Sequence, residues 1–394
     1  MALAIKTVRT FKELESFRGC WEALENHPNS DFHHFQLVCR LRPEVICPHV
    51  TFVENDGQLR TLLAARLEKS NFVPSIGYFK PIRIPAKVLT VLHQGSLGQM
   101  DGESAKGLVQ HLWSLLASGE ADAVAFHHLR EDSPLLWAMI TFGSRWWCEK
   151  RPSWSIHWSM TIPTEPGFLL KKLRSKHRSW IRKKQRELET AFPGQVTWKW
   201  ISSFDDVPGL CVQLEDVAAR TYQRGLGAGF VNDDEHRQRF ALFASRGQLR
   251  VQLLEVKGKV CAFWIGIIYL ETFHSWATGF DPVLRGYEIG TLVFVRMVDE
   301  LVREGVRKLD FGLGDALYKQ RFGDKHWREA TIRMFAPTAK GLALRSVLGL
   351  SDMMDSTLRR LIQRAGVLDR IKSGWRQRLA KADQKISKKY PVHL

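Results

Sequence analysis

The stretch VCAFWIGIIYL, residues 260–270, constrains the fold more than any other part of the chain. It carries no charge, yet eleven residues are too few to cross a bilayer as a helix, which takes about 20. Its β-branched and aromatic residues fit a buried strand. LRVQLLEV ends just before it, and the Lys-Gly-Lys between the two runs is a turn, so together they form a hairpin. A hairpin makes antiparallel neighbours, whereas the strands that follow alternate with helices. The sheet is therefore mixed, which argues against a doubly wound Rossmann domain.

Around this hairpin the order of elements is readable. QVTWKWIS (195–202) alternates as a strand does, and apolar spacing predicts helices over 210–224 and 232–247. After the hairpin come a strand over 272–280, a loop over 281–290 and a long helix over 291–305. The helix has Leu292, Val295, Val298 and Val302 in one stripe. VRKLDFGL then reads as a strand, ALYKQRFG as a short helix and EATIRMFAP as a last strand. The first 160 residues show a similar order more faintly. Helices are expected over FKELESFRGCWEALEN and DFHHFQLVCRLR, then a hairpin turning at Asn-Asp-Gly, then strand, helix and strand from KVLTVLHQGSLG to ADAVAFHHL. The expectation is two copies of one α/β fold with mixed central sheets. Their ranges are 1–162 and 194–338, joined by a basic helix over 163–193 and followed by a helical tail over 339–394.

The net charge of +17 is the unusual bulk property, and it is local. Residues 169–186 hold nine Lys and Arg with no acid, and residues 340–394 hold thirteen against four Asp. The rest of the chain is close to neutral, so two elements, not the whole fold, are built to face something anionic. The six cysteines form no C-x-x-C pair, which argues against a disulfide framework and for a reducing compartment. No Cys or His pair has zinc-ligand spacing. The neighbours in His33-His34 and His127-His128 point apart, so no metal is expected. MALAIKTVRTF has no apolar core of a signal peptide, and a cytoplasmic protein is expected, with the tail able to place it at the inner membrane.

RGYEIGT, between a strand and the long helix, supplies a phosphate-loop pattern with altered glycine spacing. With F-D-P before it and L-D-F-G-x-G-D-x-x-Y-K-x-x-F-G after it, the segment resembles the GNAT acyltransferase superfamily. The branch it resembles is the CelD type, linked to cellulose and other exopolysaccharides. SKHRSWIRKK (175–184) resembles the same branch and, more distantly, the Fem-type aminoacyltransferases, which carry two such domains. The likeness covers roughly 165–337, reaches the first half only through element order, and leaves out the tail. It implies that Arg285, Gly286, Gly290 and Thr291 cradle the diphosphate of an acyl-CoA. Physical chemistry agrees: glycines admit close backbone approach, and a helix start offers N–H groups and a favourable dipole. The likeness further implies that Tyr318 protonates the leaving thiolate, that Lys319 neutralises phosphate or thiolate charge, and that Asp315 or Asp310 accepts the proton of an amine. His274 is an alternative base. Asp315 also reads as a helix cap, and Tyr318 and His274 as core residues.

Lys176, Arg178 and Arg182 of the basic helix are expected to meet an anionic substrate. In the first half Asp101 and Glu103 stand at the corresponding helix start, where they would repel phosphate, so that half is expected to bind no cofactor. The tail is expected to lie on an anionic membrane surface with Trp375 buried. No Cys or Ser stands in a nucleophile setting, which favours direct attack of an amine on acyl-CoA, the amine being carried by an amino sugar or glycan precursor. Two rivals remain: a Fem-type transferase that uses aminoacyl-tRNA, and a non-enzymatic nucleic-acid or membrane-surface binder. The absence of an RNP-like aromatic pattern argues against nucleic acid.

Overall fold

Alternating and continuous apolar runs set the strands of the computed structural model, which describes residues 3–55, 58–74, 82–142, 147–149, 152–221, 224 and 229–364. In chain order the strands are β1 (Leu3–Val8), β2 (Val45–Asn55), β3 (Gln58–Phe72), β4 (Ile84–Gly98), β5 (Ala123–Arg130), β6 (Ser153–Thr161) and β7 (Val196–Ile201). They continue with β8 (Leu249–Val256), β9 (Lys259–Tyr269), β10 (Thr272–Phe280), β11 (Lys308–Leu313) and β12 (Lys325–Phe335). The described residues divide into two units, one formed by those up to His157 together with 327–364, the other by Trp158–His326.

In the first unit the strand order is β1-β2-β3-β4-β5-β12. β1 to β4 pair antiparallel, and β5 returns parallel to β4 after the helix Gly102–Ala117. Leu108, Leu112 and Leu116 of that helix are buried in one cluster with Val124, Phe126, Ile332 and Met334. Asp101 caps the helix by accepting from the Ser104 amide at 2.7 Å, and Glu103 sits in its first turn. The helices before β2 are shorter than the sequence predicts: Phe11–Glu15, Arg18–Glu22 and Phe32–Leu41.

The second unit repeats this connectivity. β7, β8, β9 and β10 pair antiparallel, and β11 returns parallel to β10 after the helix Ile289–Arg303. The hairpin between β8 and β9 turns on Lys257 and Gly258, both at positive φ (54° and 72°), the two-residue turn whose twist suits paired strands. The helix Ile289–Arg303 is buried on more than the predicted stripe: Val293, Phe294, Met297 and Leu301 join Leu292, Val295, Val298 and Val302. Each such side chain contributes about 1.5–3 kcal/mol of burial, so this helix anchors the unit. On Val207–Ala218 and Asp234–Ser245, Leu210, Leu214, Phe240 and Phe243 cluster with Leu253 and Ile265.

Three readings of the sequence change. The predicted loop over 281–290 is a 3-10 turn, Pro282–Tyr287, followed by a helix that begins at Ile289. Proline in the first position and Asp281, which accepts from the Val283 amide at 3.0 Å, stabilise that turn. The basic helix is two helices, Phe168–Lys172 and Ser175–Ala191, because Leu173 is extended (ψ 148°). Phe168, Leu169, Ile181 and Leu188 are buried in the second unit's core, so this segment is part of that unit's packing. β12 pairs antiparallel with β5, and its Ala330, Ile332 and Met334 complete the first unit's core. The tail begins as one helix, Ala339–Arg364, with Leu342, Leu350, Met353 and Met354 exposed. Residues 365–394, Trp375 among them, lie outside the described residues. No helix among the described residues is long and apolar enough to cross a membrane.

Candidate active site

The second unit's parallel pair parts early. β10 and β11 are in register from Thr272/Lys308 through Phe273/Leu309 to His274/Asp310, and the pairing ends there. β10 runs on to Phe280 and β11 to Leu313. Beside the parting point β10 is bulged at Trp276 in its pairing with β9, which bends a strand locally. The gap therefore opens at the strand ends, ahead of the N-terminus of Ile289–Arg303.

His274 and Asp310 face each other where the strands part. Asp310 is buried; its Oδ2 lies 3.6 Å from His274 Nδ1, and its Oδ1 accepts from the Gly312 amide at 2.7 Å. Two of the sequence candidates for proton transfer are thus brought together. Asp315 stands apart: exposed, with Oδ1 accepting from Trp158 Nε1 at 3.1 Å and Gln320 Nε2 at 2.8 Å. Nor does Asp315 cap the following helix, Leu317–Phe322, whose cap position is Ala316. Tyr318 is half-buried, its ring edge-on to Trp264 at 5.7 Å and to Phe311 at 6.0 Å.

Lys319 does not face a phosphate. Its side chain is buried, and Nζ donates to the carbonyls of Phe311 (2.8 Å), Gly312 (3.2 Å) and Leu313 (2.5 Å). Those carbonyls converge because Gly312 and Gly314 take positive φ (68° and 98°), a left-handed path that glycine follows without steric cost. The G-x-G-D-x-x-Y-K run is thus explained locally: the glycines curl the strand end and the lysine ties it down. Burial pulls the Lys319 ammonium down to about 8, opposed by the Asp310 charge. In spectra of 15N-lysine-labelled protein one ammonium should therefore titrate near pH 8, and that signal should vanish in Lys319→Met. If every lysine titrates near its usual value of about 10.4, the Lys319 assignment is wrong. Lys319→Met should also lower stability by about 2–3 kcal/mol, because buried carbonyls lose a charged donor.

At the mouth of the gap Arg285 and Gly286 are exposed, Gly290 and Thr291 half-buried. A Cβ at Gly286 would meet nothing within 4 Å, so the backbone is open to a ligand there. At Gly290 a Cβ would come 3.1 Å from Phe280 Cδ1, so this glycine lets the helix start pack against the end of β10. The Thr291 and Leu292 amides bond to the Glu288 carbonyl, while the first turn has no acid. A helix start still leaves its foremost N–H groups, here those of Ile289 and Gly290, aimed outward. Exposed arginine, open backbone and a fifteen-residue helix's N-terminus fit a diphosphate. Lys176 and Arg182 are exposed and Arg178 half-buried, and among the described residues none of the three is in an ion pair. Lys183 and Lys184 instead pair with Glu187 at 3.7 and 2.9 Å.

Residues 175–320, within the second unit, are similar to the acetyltransferase (GNAT) domain family. No curated protein matches the chain. Among solved structures, FemX is similar at 12% identity over 85% of this chain and 97% of its own, with a TM-score of 0.53. The tandem GNAT protein from the clavulanic acid biosynthesis pathway aligns at 12% identity over 85% and 100%, with a TM-score of 0.49. L-PGS from Bacillus licheniformis aligns at 11% identity over 87% and 97%, with a TM-score of 0.49. The likeness to FemX extends over both units, and the fold is a mixed α/β one with GNAT-like connectivity in each.

Proposed function

We propose that the second unit transfers an acyl group, most simply acetyl, from acyl-CoA to an amine on an amino sugar or exopolysaccharide precursor. The observation that carries this reading is the early parting of β10 and β11 at His274 and Asp310, within the segment that matches the acetyltransferase family. Diverging strands offer main-chain amides to an extended, amide-bearing ligand such as pantetheine, in the manner of strand addition. Its diphosphate would rest at the N-terminus of Ile289–Arg303 with Arg285 beside it.

The chemistry follows from the residues at the parting point. His274, oriented by the Asp310 carboxylate, takes the proton that the attacking amine must lose, and Tyr318 returns a proton to the departing thiolate. The amine attacks the thioester directly. Burial pushes the Cys211 thiol up to about 11 and raises that of Cys261, so neither supplies a thiolate nucleophile. Lys176, Arg178 and Arg182 suit an anionic acceptor, and the CelD-type motifs point to a glycan precursor. The competing donor is aminoacyl-tRNA, the choice of the Fem-type enzymes that the basic segment resembles, and those cations serve it equally. The helix Ala339–Arg364, with its exposed Leu and Met side chains, fits a place on an anionic membrane surface.

Calorimetric titration of the full chain with acetyl-CoA, and separately with charged tRNA, tests the reading. Saturable binding of acetyl-CoA at one site is expected, unaffected by the tRNA. Heat only with tRNA would transfer the site to the Fem-type chemistry.

A further inference from the structure

The first unit has its own parting pair, and a cluster of metal-ligand side chains lies there. β4 and β5 are in parallel register from Val88/Ala123 to Val91/Phe126, and the pairing ends. Immediately beyond, both strands are irregular. On β4 the four residues Leu92–Gly95 face Ala64 alone in the pairing with β3, and Gln94 has φ 60°. On β5 His127 and His128 face Thr331 alone in the pairing with β12, and His128 has φ 59°. Left-handed backbone at two non-glycine residues is uncommon and collects at functional sites. The bulges re-aim His93 and His128 so that their rings meet, centroids 5.4 Å apart.

β6 and β12 complete the cluster with His157 and Glu329. His93 Nε2 lies 3.1 Å from Glu329 Oε2, and His157 Nδ1 lies 3.0 Å from Oε1. Glu329 is fully buried and His157 almost so, while the His93 side chain is 17% exposed and leaves a way in. Trp327 stacks on His157 (4.5 Å, 14°) and its Nε1 donates to Glu329 Oε1 at 2.7 Å, fixing the carboxylate from behind. His128 Nδ1 is buried with no hydrogen-bond partner among the described residues.

We propose that the first unit binds a divalent transition metal of the Zn2+ class through His93 Nε2, His157 Nδ1 and the Glu329 carboxylate, with His128 beside the fourth position. Two nitrogens and one oxygen are a zinc donor set. All three donors already lie within 4.8 Å of one another. Bonds of about 2.0–2.2 Å at tetrahedral angles would place them roughly 3.4 Å apart, close to the separations from the carboxylate seen here. Imidazole donors disfavour Mg2+ and Ca2+, which prefer oxygen shells. A buried carboxylate also needs a compensating positive charge, which a divalent ion supplies. The Trp327 hydrogen bond is the outer-shell contact that holds a ligating carboxylate in place. Histidine spacing does not reveal this cluster, because the ligands come from three strands separated along the chain.

The test uses the full chain after dialysis against a chelator, titrated with Co2+ and Zn2+ by visible absorption and calorimetry, with bound metal counted by mass spectrometry. One equivalent is expected, with the intense visible bands of low-coordinate Co2+. His93→Gln, chosen because that side chain is partly exposed, should abolish those bands while the circular dichroism and melting of the metal-free protein stay unchanged. Trp327→Phe should weaken affinity by about 10–100-fold. Binding that is no tighter than in His93→Gln, or bands that persist in it, would leave the cluster a hydrogen-bonded charge network and overturn the proposal. Acetyl-CoA binding by the second unit is measured in the same samples and is expected to be independent of either outcome.

Discussion

Asp310→Asn is expected to slow acyl transfer by about 10²–10⁴-fold and to leave acetyl-CoA binding nearly unchanged. The reason is position. Asp310 lies at the last paired residue of β11, held by the Gly312 amide on one oxygen and facing His274 with the other. Asparagine keeps an acceptor for Gly312 but no longer stabilises a proton on His274. His274→Gln should cost a similar factor. The double variant should lose little more than either single one, because the two side chains act as a unit. Thiol release from acetyl-CoA, measured over a panel of amines that includes amino sugars, gives the rates. A rate that survives in Asp310→Asn, or costs that multiply in the double variant, would remove the pair from the chemistry and return Asp315 to consideration.

Gly290→Glu is expected to weaken acetyl-CoA binding by about 100-fold or more, equivalent to about 2.7 kcal/mol. It introduces a negative charge into the first turn of Ile289–Arg303, where the dipole and outward N–H groups favour an anion. It also sets a Cβ 3.1 Å from the Phe280 ring. Gly290→Ala separates the two effects, since it adds the same Cβ without the charge. If alanine costs only a few-fold and glutamate abolishes binding, the helix start receives the diphosphate. Equal losses would mean that Gly290 serves packing alone and that the ligand lies elsewhere. Arg285→Ala should give a smaller loss, on the order of tenfold, from one charge-assisted bond.

The proposed site was legible where its residues are local in sequence. The turn proposed to receive the diphosphate could be singled out from Arg285, Gly286 and Gly290, because a strand, a glycine turn and a helix follow one another within twenty residues. The meeting of His274 with Asp310 was less visible, since it depends on parallel register between strands 36 residues apart. Lys319 was misread for a physical reason. A lysine after a glycine turn looks the same whether it points outward to a phosphate or back to carbonyls, and only the left-handed path at Gly312 and Gly314 decides. The start of the helix at Ile289 was likewise displaced by two residues, because Pro282 and Asp281 build a 3-10 turn where glycines suggested a loop.

What the amino-acid order fixed unaided is the period of each element. The apolar run at 260–270 could only be an inner strand, and the stripe from Leu292 to Val302 could only be a buried helix face. What it left open are the contacts between residues far apart in the chain. Pairing β12 with β5 delivers Glu329 to His93 and His157, more than 170 residues away along the chain. No spacing rule reaches so far. Such contacts depend on which sheet edge still has unpaired amides when a late strand arrives, and on whether its apolar side chains fit the core already there. That is settled by tertiary packing.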